Sequence, residues 1–276
     1  MSDYKENALV VQSNHFVRET SNNLKAAEIK MFDVFVSCID TLHPKKTIEI
    51  KKTELMKALG DNDQYRFTRE TLRSLMQKVW VEAGERSAIL RHFVDKAEWF
   101  YQEDSVKVTF SEDILPMLVD LKSNFLQYSV ADLNCLRSRY SMLLYKYCLS
   151  YIRQYKTTDF IIPMSELRDF LNLKNKYDRF EAFDRKVLQV FEKEVNDSRA
   201  LPYLVRYEKQ LRNRKVDSIR FLIRPRTTNN ETVFGDVQNQ IAYEEMYNHL
   251  IKGNTPIGDI RNRQADEILE QQTELF

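Results

Sequence analysis

The sequence predicts an α+β fold made of two tandem copies of one unit: a long helix, a short strand, two helices joined by a turn, and a β hairpin. Three observations predict it. Residues 159–225 follow that order from the strand onward, with strand DFIIP, helix PMSELRDFLNL, and a second helix, YDRFEAFDRKVLQVFEKEVND, that opens at a cluster of Lys and Arg. The basic ribbon LPYLVRYEKQLRNRKVDSIRFLIRP completes the unit. Residues 47–110 repeat the order more loosely, TIEIKKTELMKALG matching DFIIPMSELRDFLNL and RFTRETLRSLMQKVWVE matching RFEAFDRKVLQVFEKEV. Both second helices open on the same residue types: Tyr65, Arg66 and Phe67, then Tyr177, Arg179 and Phe180. An internal repeat of this size argues for duplication. A helix-turn-helix followed by a charged hairpin is the outline of a winged helix, which places one helix in the major groove of duplex DNA and the wing on the phosphates.

The elements follow in chain order. Residues 7–20 begin with a short β-rich run and continue polar. Residues 24–39 carry Leu24, Ala27, Met31, Val34 and Ile39 near helical spacing, with Asn22 or Asn23 as cap, and Pro44 stops further helix. Residues 47–51 alternate as a strand. Thr53 is placed to cap the next helix, and Gly60 to end it. Residues 65–82 form the helix after the turn, facing Leu72, Leu75, Met76 and Val79 inward. Residues 88–111 alternate over two runs joined by a polar turn, a first wing.

Residues 115–129 join the halves. Residues 130–155 are expected to form one long amphipathic helix. Its stripe Tyr140, Leu144, Tyr147 and Tyr151 is read as core, because base-stacking platforms are usually exposed sheets or grooves. Pro163 stands at the entrance to the next helix, with Ser165 as the alternative cap. After Pro225, residues 226–240 are polar and unpatterned, a linker, and 241–253 make a short helix ended by Gly253. The expected division is a first winged-helix domain over 1–123 for dimerisation and DNA contact, a second over 124–228 as the main DNA reader, and a poorly ordered acidic tail over 229–276.

A net charge of +1 over 276 residues argues at first against a nucleic-acid binder. That average hides an asymmetry. From Glu231 onward three basic residues, Lys252, Arg261 and Arg263, stand against nine acidic ones, a net −6 that leaves +7 on the rest. Residues 171–228 alone supply about that excess. Cys38, Cys135 and Cys148 are odd in number without CxxC spacing, and fit small buried hydrophobes in a reducing compartment. No apolar signal segment follows Met1, and no run approaches the ~18 apolar residues of a membrane span, so a cytoplasmic, membrane-free location is expected.

A groove-reading helix needs long donors in its first turns. Arg and Lys suit guanine, Asn and Gln suit adenine. In the second half Lys174, Asn175, Lys176, Tyr177 and Arg179 sit where the helix enters, and Arg185 and Lys186 follow. The wing adds Arg206, Lys209, Arg212, Arg214, Lys215 and Arg220. The bland alternative is a solvated charged surface. The charge excess, the helix-turn-helix and the wing agree against it. In the first half Arg66, Thr68, Arg69, Arg73 and Lys78 occupy the matching helix, and Arg91 lies near the wing. Asp61, Asp63 and Glu70 dilute that patch, and packing or dimerisation is its rival role.

Catalytic signatures are missing. No GxxxxGK[ST] loop is present to cradle phosphates. His15, His43, His92 and His249 are scattered without HxH or HExxH, and no acidic pair stands out as a two-metal site. No enzyme activity, metal or cofactor is expected.

From Asn7 to Pro225 the chain resembles the theta-type plasmid replication initiators with two winged-helix domains. The markers are NALVVQSNHFV near the N-terminus, YSMLLYKYCLSY in the long helix, IPMSELRDFLNL, and YDRFEAFDRKVLQVFEKEVND at the reading helix. The tail after residue 230 lies outside the resemblance. It implies monomers that bind repeated origin sequences (iterons), help open adjacent AT-rich DNA and recruit host helicase and initiator proteins. It also implies dimers, in equilibrium with monomers, that repress their own gene from an inverted repeat. A winged-helix transcriptional regulator would share the fold without an array of repeats. A rolling-circle nicking initiator would need the absent His cluster.

Overall fold

Residue types that favour strands alternate with helix-forming runs along the whole first 225 residues, and the computed structural model follows them. It describes residues 2–5, 9–40, 43–60, 65–83, 86–119, 125–155, 157–173 and 176–226. The acidic tail and the short helix expected at 241–253 lie outside the described residues. Among the described residues no helix is long and apolar enough to cross a membrane.

The order is β1 (Leu9–Ser13), α1 (Asn14–Glu19), β2 (Thr20–Asn22), α2 (Ala26–Ser37), β3 (Thr47–Ile50), α3 (Lys52–Ala58), α4 (Tyr65–Leu75), β4 (Val79–Ala83), β5 (Ala88–His92), β6 (Val94–Trp99) and β7 (Val106–Phe110). A 3-10 turn at Leu115–Met117 leads to β8 (Phe125–Ser129), α5 (Val130–Asn134), α6 (Arg139–Tyr155), β9 (Asp159–Pro163), α7 (Met164–Phe170), α8 (Phe180–Phe183), a π-turn (Asp184–Leu188), α9 (Gln189–Asp197), β10 (Tyr203–Arg212) and β11 (Lys215–Pro225).

Two three-stranded sheets share one strand order, β3-β7-β6 and β9-β11-β10. In each, the strand before the helix-turn-helix pairs antiparallel with the last strand of the following hairpin, Ile48 opposite Val108 in the first and Ile162 opposite Ile219 in the second. This is winged-helix topology twice over. The first unit carries two additions, the sheet β2-β4-β5 and the antiparallel pair β1-β8.

Several expected boundaries move. The helix expected over 65–82 stops at Leu75, and Val79–Ala83 is a strand. Its VWVEA run is β-branched and aromatic, and pairing with β2 and β5 buries Trp80 completely. The single wing expected over 88–111 therefore divides between the β4-β5 and β6-β7 hairpins. Residues 125–129, expected as a connection, pair with β1. The long helix expected over 130–155 breaks at Cys135–Ser138. Ser129 caps α5 by accepting the Ala131 N–H at 3.2 Å. Glu194 of α9 caps the entry to α6, accepting the N–H groups of Arg137 and Ser138 at 3.1 Å. Thr53 does not cap α3. It lies inside the helix, where its N–H and hydroxyl both donate to Asp104, at 3.1 and 2.6 Å. Neither Asn22 nor Asn23 caps α2, whose N-cap is Lys25 with its N–H donated to Glu28 at 2.7 Å. Gly60 takes φ +76° directly after α3, the left-handed conformation that glycine adopts without steric cost.

The core runs through both winged helices around α2 and α6. Phe32 packs edge-on to Phe93 and Phe110 at 5.0 and 6.4 Å, and Phe16 to Trp80 at 5.5 Å. Tyr140, Leu144 and Tyr147 are buried as the core reading of the stripe requires, and Tyr151 stacks on Phe160 at 4.1 Å. Cys38 and Cys148 are buried too, and burial pushes both thiols well above their ordinary range. A buried ion pair interrupts this apolar interior. Lys146 Nζ of α6 lies 2.8 Å from the Asp33 carboxylate of α2, which also accepts from Gln12 Nε2 at 3.0 Å.

Candidate nucleic-acid interface

The second helix-turn-helix is organised from α7. Arg168 on that helix donates to three carbonyls of the following turn: Tyr177 at 3.0 Å, Lys176 at 2.7 Å and Leu173 at 3.3 Å. The turn needs such a clasp, because Asn172 and Tyr177 hold φ of 54° and 56°. Left-handed backbone is unfavourable for a bulky aromatic residue. The Tyr177 ring is half-buried edge-on to Tyr140 at 6.2 Å. It therefore closes the turn, and only part of it faces solvent. Lys176 and Arg179 are exposed. Lys174 and Asn175 lie outside the described residues.

The helix that follows buries Phe183, Val187, Phe191 and Val195, a strict spacing of four. An α-helix advances 3.6 residues per turn, so a strict four-residue stripe drifts around it. The π-turn at Asp184–Leu188 takes up part of that drift, closed by the Gln189 N–H on the Asp184 carbonyl. Such wide turns are frequent at functional sites. The outward face then presents Arg185, Lys186, Gln189 and Lys193, all exposed. Arg185 and Lys186 have no acidic partner among the described residues.

Asp184 itself is buried. It accepts the Tyr207 hydroxyl at 2.6 Å, Lys209 Nζ at 2.9 Å and Gln189 Nε2 at 3.0 Å. Burial alone would raise its pKa. The bonds from Tyr207, Lys209 and Gln189 outweigh burial and hold it below the ordinary aspartate value.

The wing tip is a two-residue turn with φ of 52° at Asn213 and 65° at Arg214. Positive φ at both central residues fits the twist of a tight hairpin and normally selects Asn-Gly. Here Arg stands where glycine is favoured. Around it Arg212, Arg214 and Lys215 are exposed without acidic partners among the described residues, and Arg206 is exposed further down β10. Two expected wing cations are otherwise engaged. Lys209 pairs with Asp184 and lies 5.0 Å over the Phe180 ring. Arg220 sits 2.7 Å from Asp159 and 3.5 Å from Glu208.

The first unit presents a different surface. Arg66, Arg69 and Arg73 are exposed on α4, beside the exposed rings of Tyr65 and Phe67. Thr68 corrects the sequence reading: it is wholly buried and faces the core, so it reaches no groove. Arg91 is also committed to structure, donating to Glu82 at 2.7 Å and lying 5.0 Å over the Trp80 ring. The β6-β7 turn carries Gln102, Glu103 and Asp104, an acidic tip unlike the second wing. Together with Tyr65, Arg66, Arg69, Trp99 and Tyr101, that turn lines an open cleft of about 540 Å³.

The first winged-helix model of the initiator replication proteins matches residues 9–149, and the second matches residues 163–223. The chain belongs to the initiator replication protein family. A curated Escherichia coli replication initiation protein is 26% identical to this chain over 177 residues, 59% of this chain and 55% of that protein. The matched stretch thus spans about half the length of that relative. Among solved structures, the Pi initiator protein in complex with iteron DNA superposes with a TM-score of 0.64 at 18% identity, covering 79% of this chain and 98% of that chain. At that identity the likeness concerns the fold.

The site residues that sequence reasoning missed are Arg168, Asp184 and the Asn213–Arg214 turn. The spacing of four between Phe183 and Val195 was the available signal for the π-turn. The partners of Arg168 and Asp184 depend on contacts across the fold.

Proposed function

We propose that this initiator binds repeated origin sequences, iterons, as duplex DNA and so starts plasmid replication. One observation carries the reading: the second winged helix brings an exposed basic helix face together with a basic wing tip. In this proposal Arg179, Arg185 and Lys186 approach base edges in the major groove, with Lys176 and Tyr177 at the groove entrance. Arg206, Arg212, Arg214 and Lys215 anchor phosphates. Arg66, Arg69 and Arg73 add contacts from the first unit. Family membership and the iteron-bound structural neighbour support the same reading. Bound monomers help open the adjacent AT-rich DNA and recruit host helicase and initiator proteins. No ATP, metal or strand cleavage enters the scheme.

The test is footprinting on the DNA beside the gene, which is expected to show protection over tandem repeats about two helical turns apart. Protection of a single operator without an array would make the protein a transcriptional regulator. A covalent adduct with supercoiled origin DNA would make it a nicking enzyme. Within the site, Arg179→Ala is expected to cost roughly 1–3 kcal/mol on a cognate repeat and to blur discrimination at one position. Equal losses on cognate and random duplexes, measured by anisotropy, would reduce Arg179 to a phosphate contact.

A dimer that represses its own gene is the second part of the proposal, and β5 favours it. Among the described residues this strand is an edge of the β2-β4-β5 sheet, with Ile89 and Leu90 exposed by 47% and 63%. An apolar edge invites pairing with another strand. Two copies of β5 paired antiparallel would bury both Leu90 side chains. Full burial of one leucine is worth about 1.5–3 kcal/mol. Leu90→Lys is therefore expected to weaken the dimer at least about tenfold in sedimentation equilibrium, while binding to a single iteron persists. An unchanged dimer would place the interface elsewhere.

A further inference from the structure

We propose that Asp184, with Lys209 and Tyr207, is the positioning device that sets which residues of the reading helix face the DNA. The proposal rests on the reading of the second winged helix as the DNA reader. Three observations support it. The π-turn begins at Asp184, whose carbonyl accepts the Gln189 N–H and whose carboxylate accepts Gln189 Nε2 at 3.0 Å, so one residue closes the wide turn twice. The same carboxylate accepts Tyr207 and Lys209 from β10, at 2.6 and 2.9 Å, which ties the turn to the wing strand. The next two residues are Arg185 and Lys186, consecutive in sequence and both exposed.

The geometry gives the brace its consequence. A π-turn inserts one residue into the helical repeat and shifts the phase of everything after it. Relaxed to a regular α-helix, the segment would rotate Gln189 and Lys193 relative to Arg179 and Arg185. It would also pull Phe191 and Val195 off the core stripe. Asp184 holds the wide turn, and Lys209 holds Asp184 from the wing, so helix and wing present their cations as one rigid surface. Lys209 is accordingly a positioning residue. Its ammonium is spent on Asp184 and on the Phe180 face, 5.0 Å from the ring centroid.

The experiment compares Asp184→Asn and Lys209→Met with wild type on a cognate repeat and on a random duplex over a salt series. Backbone amide exchange at Gln189 is followed by NMR. Both variants are expected to lose about tenfold on the cognate repeat, to keep their affinity for random DNA, and to keep the wild-type salt slope. Exchange at Gln189 is expected to quicken at least about tenfold in both. Tyr207→Phe, which removes a single donor, carries the same readout if Asp184→Asn does not fold. A salt slope lowered by about one unit in Lys209→Met, with equal loss on both duplexes, would make Lys209 a phosphate contact and overturn the proposal. Unchanged discrimination and unchanged exchange in both variants would overturn it as well. A wild-type protein that shows no preference for the repeats would defeat the iteron reading, while the exchange at Gln189 would still decide whether the brace holds the turn.

Discussion

Lys146→Met is expected to destabilise the fold by about 3–5 kcal/mol, the usual consequence of leaving one member of a buried ion pair without its partner. Lys146 and Asp33 are 7% and 0% exposed, and they join α6 to α2 within the core. With Lys146 gone, Gln12 Nε2 and the Tyr128 hydroxyl would still address the Asp33 carboxylate. Burial already pushes the Asp33 pKa upward, and Lys146 is the main opposing influence. The sign of the pH dependence follows. An aspartate whose folded pKa exceeds its unfolded value, about 3.9, favours the folded state below that unfolded value and loses the advantage as pH rises through the folded pKa. The deficit of Lys146→Met should thus be larger at pH 8 than at pH 5 in urea titrations. The double variant Asp33→Leu with Lys146→Met should recover part of the loss, because an apolar pair of similar volume is tolerated where a lone charge is not. About 1–3 kcal/mol would persist, since the Gln12 amide then lacks its acceptor. A single variant no less stable than wild type at pH 8 would mean that the pair is solvated in solution.

The second winged helix was readable from sequence because its signals are local. The strand, the two helices and the wing each lie in one continuous run, and the basic residues cluster at the turn. The first unit resisted for the opposite reason. VWVEA serves equally as the end of a helix or as a strand, and the choice is made by β2 and β5 on either side of it. Residues 125–129 became a strand only by meeting β1, more than a hundred residues away in sequence. The break before α6 depends on Glu194 of α9, which arrives from more than fifty residues further along the chain. Among the candidate residues, exposure and internal pairing separated what charge could not. Arg185, Lys186, Arg212, Arg214 and Lys215 face solvent, whereas Thr68 is buried and Lys209 is held by Asp184. A lysine that pairs internally and one that meets a phosphate look alike in a sequence.

Replacing Arg212, Arg214 and Lys215 together by alanine is expected to weaken binding to cognate and random duplexes alike by on the order of 10²-fold. The figure takes each exposed cation at about 1 kcal/mol. The salt slope should fall by about 0.9 for each phosphate that is no longer neutralised. Arg214 lets charge and backbone be separated at this site. It holds φ 65° in a turn position that favours glycine. A left-handed conformation costs a residue with a side chain about 1–2 kcal/mol. Arg214→Gly should therefore raise thermal stability while lowering DNA affinity. Arg214→Ala should lower affinity equally without the gain in stability, because alanine keeps the steric cost. That pattern would show an arginine kept at the wing tip for its charge against the preference of its own backbone. Unchanged affinity in the triple variant, or a salt slope equal to that of wild type, would take the second wing off the phosphates. Loss confined to cognate DNA would instead make the wing a reader of base edges.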